Sequence, residues 1–190
     1  MKKFFHDYSY SIFKMFLYQI AIALFGIALF SPTIKDGLET LNLVTSIFAI
    51  IFYLFLIYVL TWEIGAKDRV SVDAKKKTYR PHTGLLLSLI ANIPNLLLAF
   101  VNMIFTLVNP LASFRVIPTL LHGMYWGVIR NITLPIGGEY LALQQIWVTF
   151  YLLVIPAMLT CWLAYFMGFK NIRIIAKAPK KPQDKPNIKK

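Results

Sequence analysis

The sequence predicts an all-α, polytopic integral membrane protein with four transmembrane helices and a re-entrant or interfacial helix between the third and the fourth. Three observations predict it: a composition poor in charge, four long uncharged runs, and basic residues concentrated in the segments on one side of the predicted spans. Hydrophobic residues make up 58% of the 190 residues, and charged residues only 15%. Soluble domains carry about 25% charged residues, so an ordinary soluble enzyme is excluded.

Four runs without Asp, Glu, Lys or Arg are long enough to cross a bilayer, which takes about 20 apolar residues in a helix. They are residues 15–34, 40–62, 81–114 and 140–169. They predict spans at about 12–31, 41–62, 84–108 and 143–168. Residues 46–60 are apolar on every face instead of alternating in polarity, which favours helices over the strands of a barrel.

A fifth uncharged stretch, residues 116–129, lies between Arg115 and Arg130. Its length is short for a span and is typical of a re-entrant or interfacial helix. Tyr125 and Trp126 within it suit a membrane interface. Residues 134–140 follow with the sequence LPIGGEY, which predicts a turn before the fourth span.

The basic residues predict the orientation, because cytoplasmic flanks collect Lys and Arg. With both termini in the cytoplasm, 17 of the 20 Lys and Arg lie on that side, and the inverted arrangement leaves only three there. We therefore expect an integral protein of a bacterial-type plasma membrane with both termini cytoplasmic. Residues 1–176 are predicted to form one transmembrane helical domain. Residues 177–190, with three prolines and six lysines, are predicted to form a disordered basic cytoplasmic tail.

One face of the third predicted span is polar. Small and amide side chains recur there at alternating spacings of four and three, which places them on one side of a helix. The candidates for a polar bundle face or a solute path are Ser88, Asn92, Asn95, Asn102 and Thr106. The face could pack helices through hydrogen bonds, line a path for a polar, uncharged or weakly charged solute, or contact a separate subunit. Pro94 frees a backbone carbonyl one turn earlier, which a neighbouring asparagine could satisfy.

A basic cluster follows the second predicted span. Lys75, Lys76, Lys77 and Arg80 are candidate contacts for anionic lipid headgroups at the cytoplasmic face. Orientation of the chain in the membrane by itself accounts for most of this charge. No nucleic-acid-binding motif accompanies the charge, so nucleic acid is not an expected partner.

The sequence offers no catalytic, cofactor-binding or metal site. His6 and His82 are predicted on the cytoplasmic side and His122 outside, Cys161 is the single cysteine, and the common hydrolase and nucleotide-binding motifs are missing. The acidic residues fall outside the predicted spans, with only Glu63 at the inner end of one, which disfavours a proton pump. We expect a protein that is not an enzyme and that needs no cofactor.

Two functions remain open. The first hypothesis is a small non-enzymatic membrane subunit or accessory component of a larger transport or envelope complex. The alternative is a self-contained small transporter or solute-binding membrane protein that uses the asparagine-lined face of the third helix. Whichever function holds, the expected partners are the lipid bilayer, anionic lipid headgroups at the cytoplasmic face, and either partner subunits or further copies of the chain.

Overall fold

The computed structural model describes residues 2–30, 38–108 and 121–172, and this part of the chain is mostly helical. The helices are α1 Lys2–Phe30, α2 Glu39–Asp73, α3 Thr83–Ala91, α4 Ile93–Val108, α5 Trp126–Asn131, α6 Thr149–Leu152 and α7 Ile155–Phe169. Two strands, β1 Thr133–Ile136 and β2 Glu139–Ala142, and two short 3-10 turns, Gly123–Tyr125 and Leu143–Gln145, complete the described elements. The predicted basic tail and the connection over residues 109–120 lie outside the described residues.

Three helical segments are long and apolar enough to cross a membrane: Phe4–Phe30, Glu39–Asp73 and Thr149–Phe169. These segments confirm the predicted class of helical protein with several candidate membrane spans. The third predicted span differs from the expectation of one helix. It is divided into α3 and α4, which pass the same test only together and are bent by 53° relative to each other.

The break at Asn92 lies two residues before Pro94, which has no backbone N–H to donate to the carbonyl one turn earlier. The backbone N–H of Asn92 donates to the Ser88 carbonyl over 3.0 Å, and its side-chain Nδ2 donates to the same carbonyl over 2.9 Å. The helix resumes where the N–H of Leu96 donates to the Asn92 carbonyl over 3.0 Å. The asparagine side chain thus adds a second hydrogen bond to the Ser88 carbonyl, and not to the carbonyl of Ile90, which is the one that Pro94 leaves without its helical donor.

Helix α2 continues well beyond the predicted end of its span near residue 62. It ends at Asp73, and the chain turns through Lys75, which has a left-handed φ of 56°. The backbone N–H groups of Lys76 and Lys77 both donate to the Ser71 carbonyl, over 2.9 and 3.3 Å. A stretch that the sequence assigns to a connection is therefore helical, and the remaining connection to α3 is short.

Helices α2 and α7 cross with their backbones in close contact. A Cβ atom added to Gly168 would lie 2.1 Å from the Trp62 carbonyl oxygen, and one added to Gly65 would lie 2.4 Å from the Tyr165 carbonyl oxygen. Small residues at such crossings let membrane helices approach closely. One turn away, the buried Thr61 hydroxyl lies 3.5 Å from the Cys161 sulfur, to which it donates a hydrogen bond.

One end of the bundle, here called the hairpin end, holds the end of α1, the start of α2, α5 and the two strands. Phe30 stacks on Trp126 with their ring centroids 5.2 Å apart, and Asn131 Nδ2 donates to the Glu39 carbonyl over 3.2 Å. Strands β1 and β2 pair antiparallel, and Gly137 and Gly138 both have positive φ in the turn between them. Such φ values suit a two-residue hairpin loop, and the predicted turn is confirmed.

The segment predicted as a re-entrant or interfacial helix is described only from residue 121 onward. The described part forms a 3-10 turn followed by the six-residue helix α5, and it packs against the bundle. Met124 and Ile129 are buried, and Ser46 Oγ on α2 donates to the Met124 carbonyl over 2.7 Å.

Candidate functional site

A buried carboxylate, Asp68, joins four segments at the other end of the bundle, here called the basic end. Asp68 is only 5% exposed. Its Oδ2 accepts hydrogen bonds from the hydroxyls of Tyr8 on α1 and Tyr165 on α7, the latter over 3.0 Å. Its Oδ1 accepts one from Lys77 Nζ, in the connection after α2, over 3.1 Å. The start of α1, the ends of α2 and α7 and residues 74–82 therefore meet at one side chain.

Lys77 is the cationic member of this network. Its Nζ also lies 3.1 Å from Asp7 Oδ2 and 4.6 Å from the centre of the Tyr8 ring. Partial burial lowers the pKa of Lys77, but hydrogen bonds to Asp68 and Asp7 and the charges of these carboxylates outweigh that effect and raise the pKa above its usual value. Lys77 is therefore charged at neutral pH, as a buried carboxylate requires of its partner.

A polar pocket of about 250 Å³ opens beside this network. The pocket is lined by Phe4, Asp7, Tyr8, Lys75, Lys76, Lys77, Thr78, Arg80, Thr83 and Tyr165. All four basic residues that the sequence singles out as lipid contacts are among them. Lys75, Lys76 and Arg80 are exposed, whereas the Lys77 side chain is 27% exposed.

An apolar groove of about 270 Å³ adjoins the polar pocket. The groove is lined by Phe4, Tyr79, Arg80, Pro81, His82, Thr83 and Leu86. The two spaces share Phe4, Arg80 and Thr83. The Tyr79 ring packs on the Phe169 ring at 4.1 Å between centroids, which ties the groove to the end of α7.

The polar face predicted on the third span is buried at four of its five candidate positions. Ser88, Asn95 and Asn102 are each 1% exposed and Asn92 is 4% exposed. Thr106 lies on α4, and its side chain is outside the described part of the structure. Asn95 Nδ2 donates to Asn92 Oδ1 over 2.8 Å, and Asn92 Nδ2 lies 3.4 Å from Ser88 Oγ. Three of the residues therefore bond to one another across the bend.

The histidines do not come together. His6 and His82 are exposed near the basic end, and His122 is buried at 2% exposure with its ring 6.0 Å from the Phe150 ring. Among residues 2–30, 38–108 and 121–172, no group of three or more His, Cys, Asp or Glu side chains could hold a metal ion.

Comparison with known proteins finds no family model, no curated protein and no solved structure that matches this chain.

Proposed function

We propose that the protein is a small, non-enzymatic, multi-pass membrane protein that serves as a membrane subunit or accessory component of a larger transport or envelope complex. The observation that carries this proposal is that the described residues lie mainly in helices and that the connections between them are small. Most are in packed helices, and the described connections are residues 74–82 and a segment built around a two-stranded hairpin. Neither is large enough for a catalytic or nucleotide-binding domain, so a partner would supply chemistry or energy.

The proposal includes four membrane crossings with both termini in the cytoplasm of a bacterial-type cell. The hydrogen bonds to Asp68 hold the start of α1 and the ends of α2 and α7 at the basic end, whereas the bond from Asn131 to Glu39 holds α5 at the hairpin end. Between residues 82 and 131 the chain must therefore return from the basic end to the hairpin end. The bent pair α3 and α4 lies in that interval, which supports counting it as the fourth span.

The experiment that tests the subunit proposal is purification of the tagged full chain from native membranes in a mild detergent, with mass spectrometry of everything that accompanies it. We expect a stoichiometric protein partner, because the described chain has no domain of its own for chemistry or energy. An unrelated multi-pass protein with the same tag, expressed to the same level, controls for non-specific carry-over. Recovery as a clean monomer or homo-oligomer, after cross-linking in the membrane as well as after extraction, would contradict the proposal.

A specific observation favours a second candidate, a self-contained transporter or solute-binding protein. Helices broken within the membrane place polar groups at solute sites in many transporters, and the bend between α3 and α4 carries Asn92 and Asn95. Asn95 Oδ1 is buried and has no hydrogen-bond partner among the described residues. A water molecule or a polar solute would satisfy that oxygen. Recovery of the protein without a partner would favour this candidate.

A further inference from the structure

We propose that the basic end holds one anionic phospholipid, with the phosphate group in the polar pocket and the glycerol and upper acyl chain along the adjoining apolar groove. This site goes beyond the proposed function, because it does not depend on whether the protein has a partner. It also differs from general attraction between a basic surface and a membrane, since it assigns the phosphate to one cavity.

The charges around the polar pocket favour an anion. Four cationic side chains line it, and the carboxylates at the network are Asp7 and Asp68, both of which lie 3.1 Å from Lys77 Nζ. Within the described residues, no carboxylate forms an ion pair with Lys75, Lys76 or Arg80. These three residues therefore leave a net positive charge at the pocket. A guanidinium also presents paired donors that match the geometry of a phosphate group.

The Asp68 network holds this pocket in shape. Lys77 is anchored to Asp68, and Thr83 Oγ1 at the start of α3 donates to the Arg80 carbonyl over 2.9 Å, so the connection that carries the cations is held at two points. The hydroxyls of Tyr8 and Tyr165 already donate to Asp68. The network thus keeps the connection beside the cavity. The side chains that remain to bind the lipid phosphate are those of Lys75, Lys76 and Arg80.

The adjoining groove favours a lipid phosphate over a soluble one. A pocket of about 250 Å³ lies just below the range of about 300–1,000 Å³ typical of small-molecule sites, and it suits a headgroup better than a whole lipid. A free phosphate ion would leave the apolar groove empty. Arg80 lines both spaces. In the proposed site it therefore lies where the phosphate of the bound lipid would join the glycerol.

The test measures binding of lipids to the delipidated full chain in detergent, by native mass spectrometry and by the rise in melting temperature. The probes are phosphatidylglycerol, phosphatidylcholine and inorganic phosphate. We expect phosphatidylglycerol to bind and stabilise the wild-type protein, and phosphatidylcholine and millimolar phosphate to do so weakly. We also expect the double variant Lys75→Gln/Arg80→Gln to bind phosphatidylglycerol about 10- to 30-fold more weakly.

The matched control is Lys67→Gln/Lys170→Gln, which removes the same charge from exposed side chains near the basic end that do not line the pocket. Affinity within about twofold of wild type is expected for this control. An equal loss in both double variants would overturn the site in favour of diffuse attraction. Tight binding of inorganic phosphate that displaces the lipid would overturn the lipid assignment. If the double variant folds poorly, Arg80→Lys is tested in its place. This substitution keeps the charge but loses the paired donors, and we expect it to weaken the binding of phosphatidylglycerol without impairing folding.

Discussion

Replacing Asp68 by Ala is expected to destabilise the bundle by about 3 kcal/mol, as breaking a buried ion pair from one side does. The substitution removes the acceptor of Tyr8 and Tyr165 and one of the two carboxylates that hold Lys77. Groups that stay buried without partners lose the full free energy of their solvation. In a chain of this size the melting temperature in detergent should fall by about 6–12 °C.

The control for this prediction is Asp73→Ala, one turn and one residue further along α2. The Asp73 side chain is 70% exposed, and among the described residues its one ion pair is with Arg69 over 3.8 Å. Such exposed helical pairs contribute little to stability. The variant Asp68→Asn, which retains an acceptor for the tyrosines but not the charge that faces Lys77, should fall between the two. Equal melting temperatures for Asp68→Ala and Asp73→Ala would show that the buried network does not hold the bundle together.

Replacing Gly168 by Ala is expected to disrupt the crossing of α2 and α7. In a helix without close neighbours, Gly to Ala stabilises by about 1 kcal/mol. Here the new Cβ would lie 2.1 Å from the carbonyl oxygen of Trp62, and backbone atoms cannot move aside as a flexible side chain can. Overpacking of this kind costs about 1–3 kcal/mol or more, so the substitution should lower the melting temperature and reduce the yield of monodisperse protein.

The direction of the change in melting temperature decides whether the backbones of α2 and α7 are in contact at Gly168. The control Ser9→Ala changes an exposed position on α1 and should leave the melting temperature nearly unchanged. A higher melting temperature for Gly168→Ala would mean that the two backbones are not in contact at that crossing.

The sequence predicts the apolar helices well, because a run of uncharged residues is a direct physical requirement of the bilayer core. It does not predict where α2 ends. Lys67, Asp68 and Arg69 indicate that the chain leaves the apolar core, but a helix can continue in a polar environment. The signal for continuation is the spacing of Leu60, Ile64 and Asp68, each four residues apart and all buried on one face.

The Asp68 network cannot be predicted from the sequence. Its tyrosine partners are 60 and 97 residues away along the chain, and nothing local identifies them. The four basic residues are visible as a cluster, but the pocket exists only because α1, α2 and α7 converge there. The periodic polar face of the third span is visible in the sequence, whereas the hydrogen bonds among Ser88, Asn92 and Asn95 depend on the bend, whose angle no local pattern gives.

In the proposed topology the bundle crosses the membrane four times and its basic end lies in the cytoplasm. Labelling of single cysteines with a membrane-impermeant maleimide tests it most directly, in a Cys161→Ser background, since Cys161 is the only cysteine and is buried. The reporters are Lys76→Cys, Tyr140→Cys and Lys170→Cys, at exposed positions. This topology predicts that residue 140 is labelled in intact cells, and that residues 76 and 170 are labelled only after the membrane is opened. Protection of residue 140 as well as residue 76 in intact cells would show that α3 and α4 do not cross the membrane. Labelling of residue 76 in intact cells would show that the orientation is the opposite one.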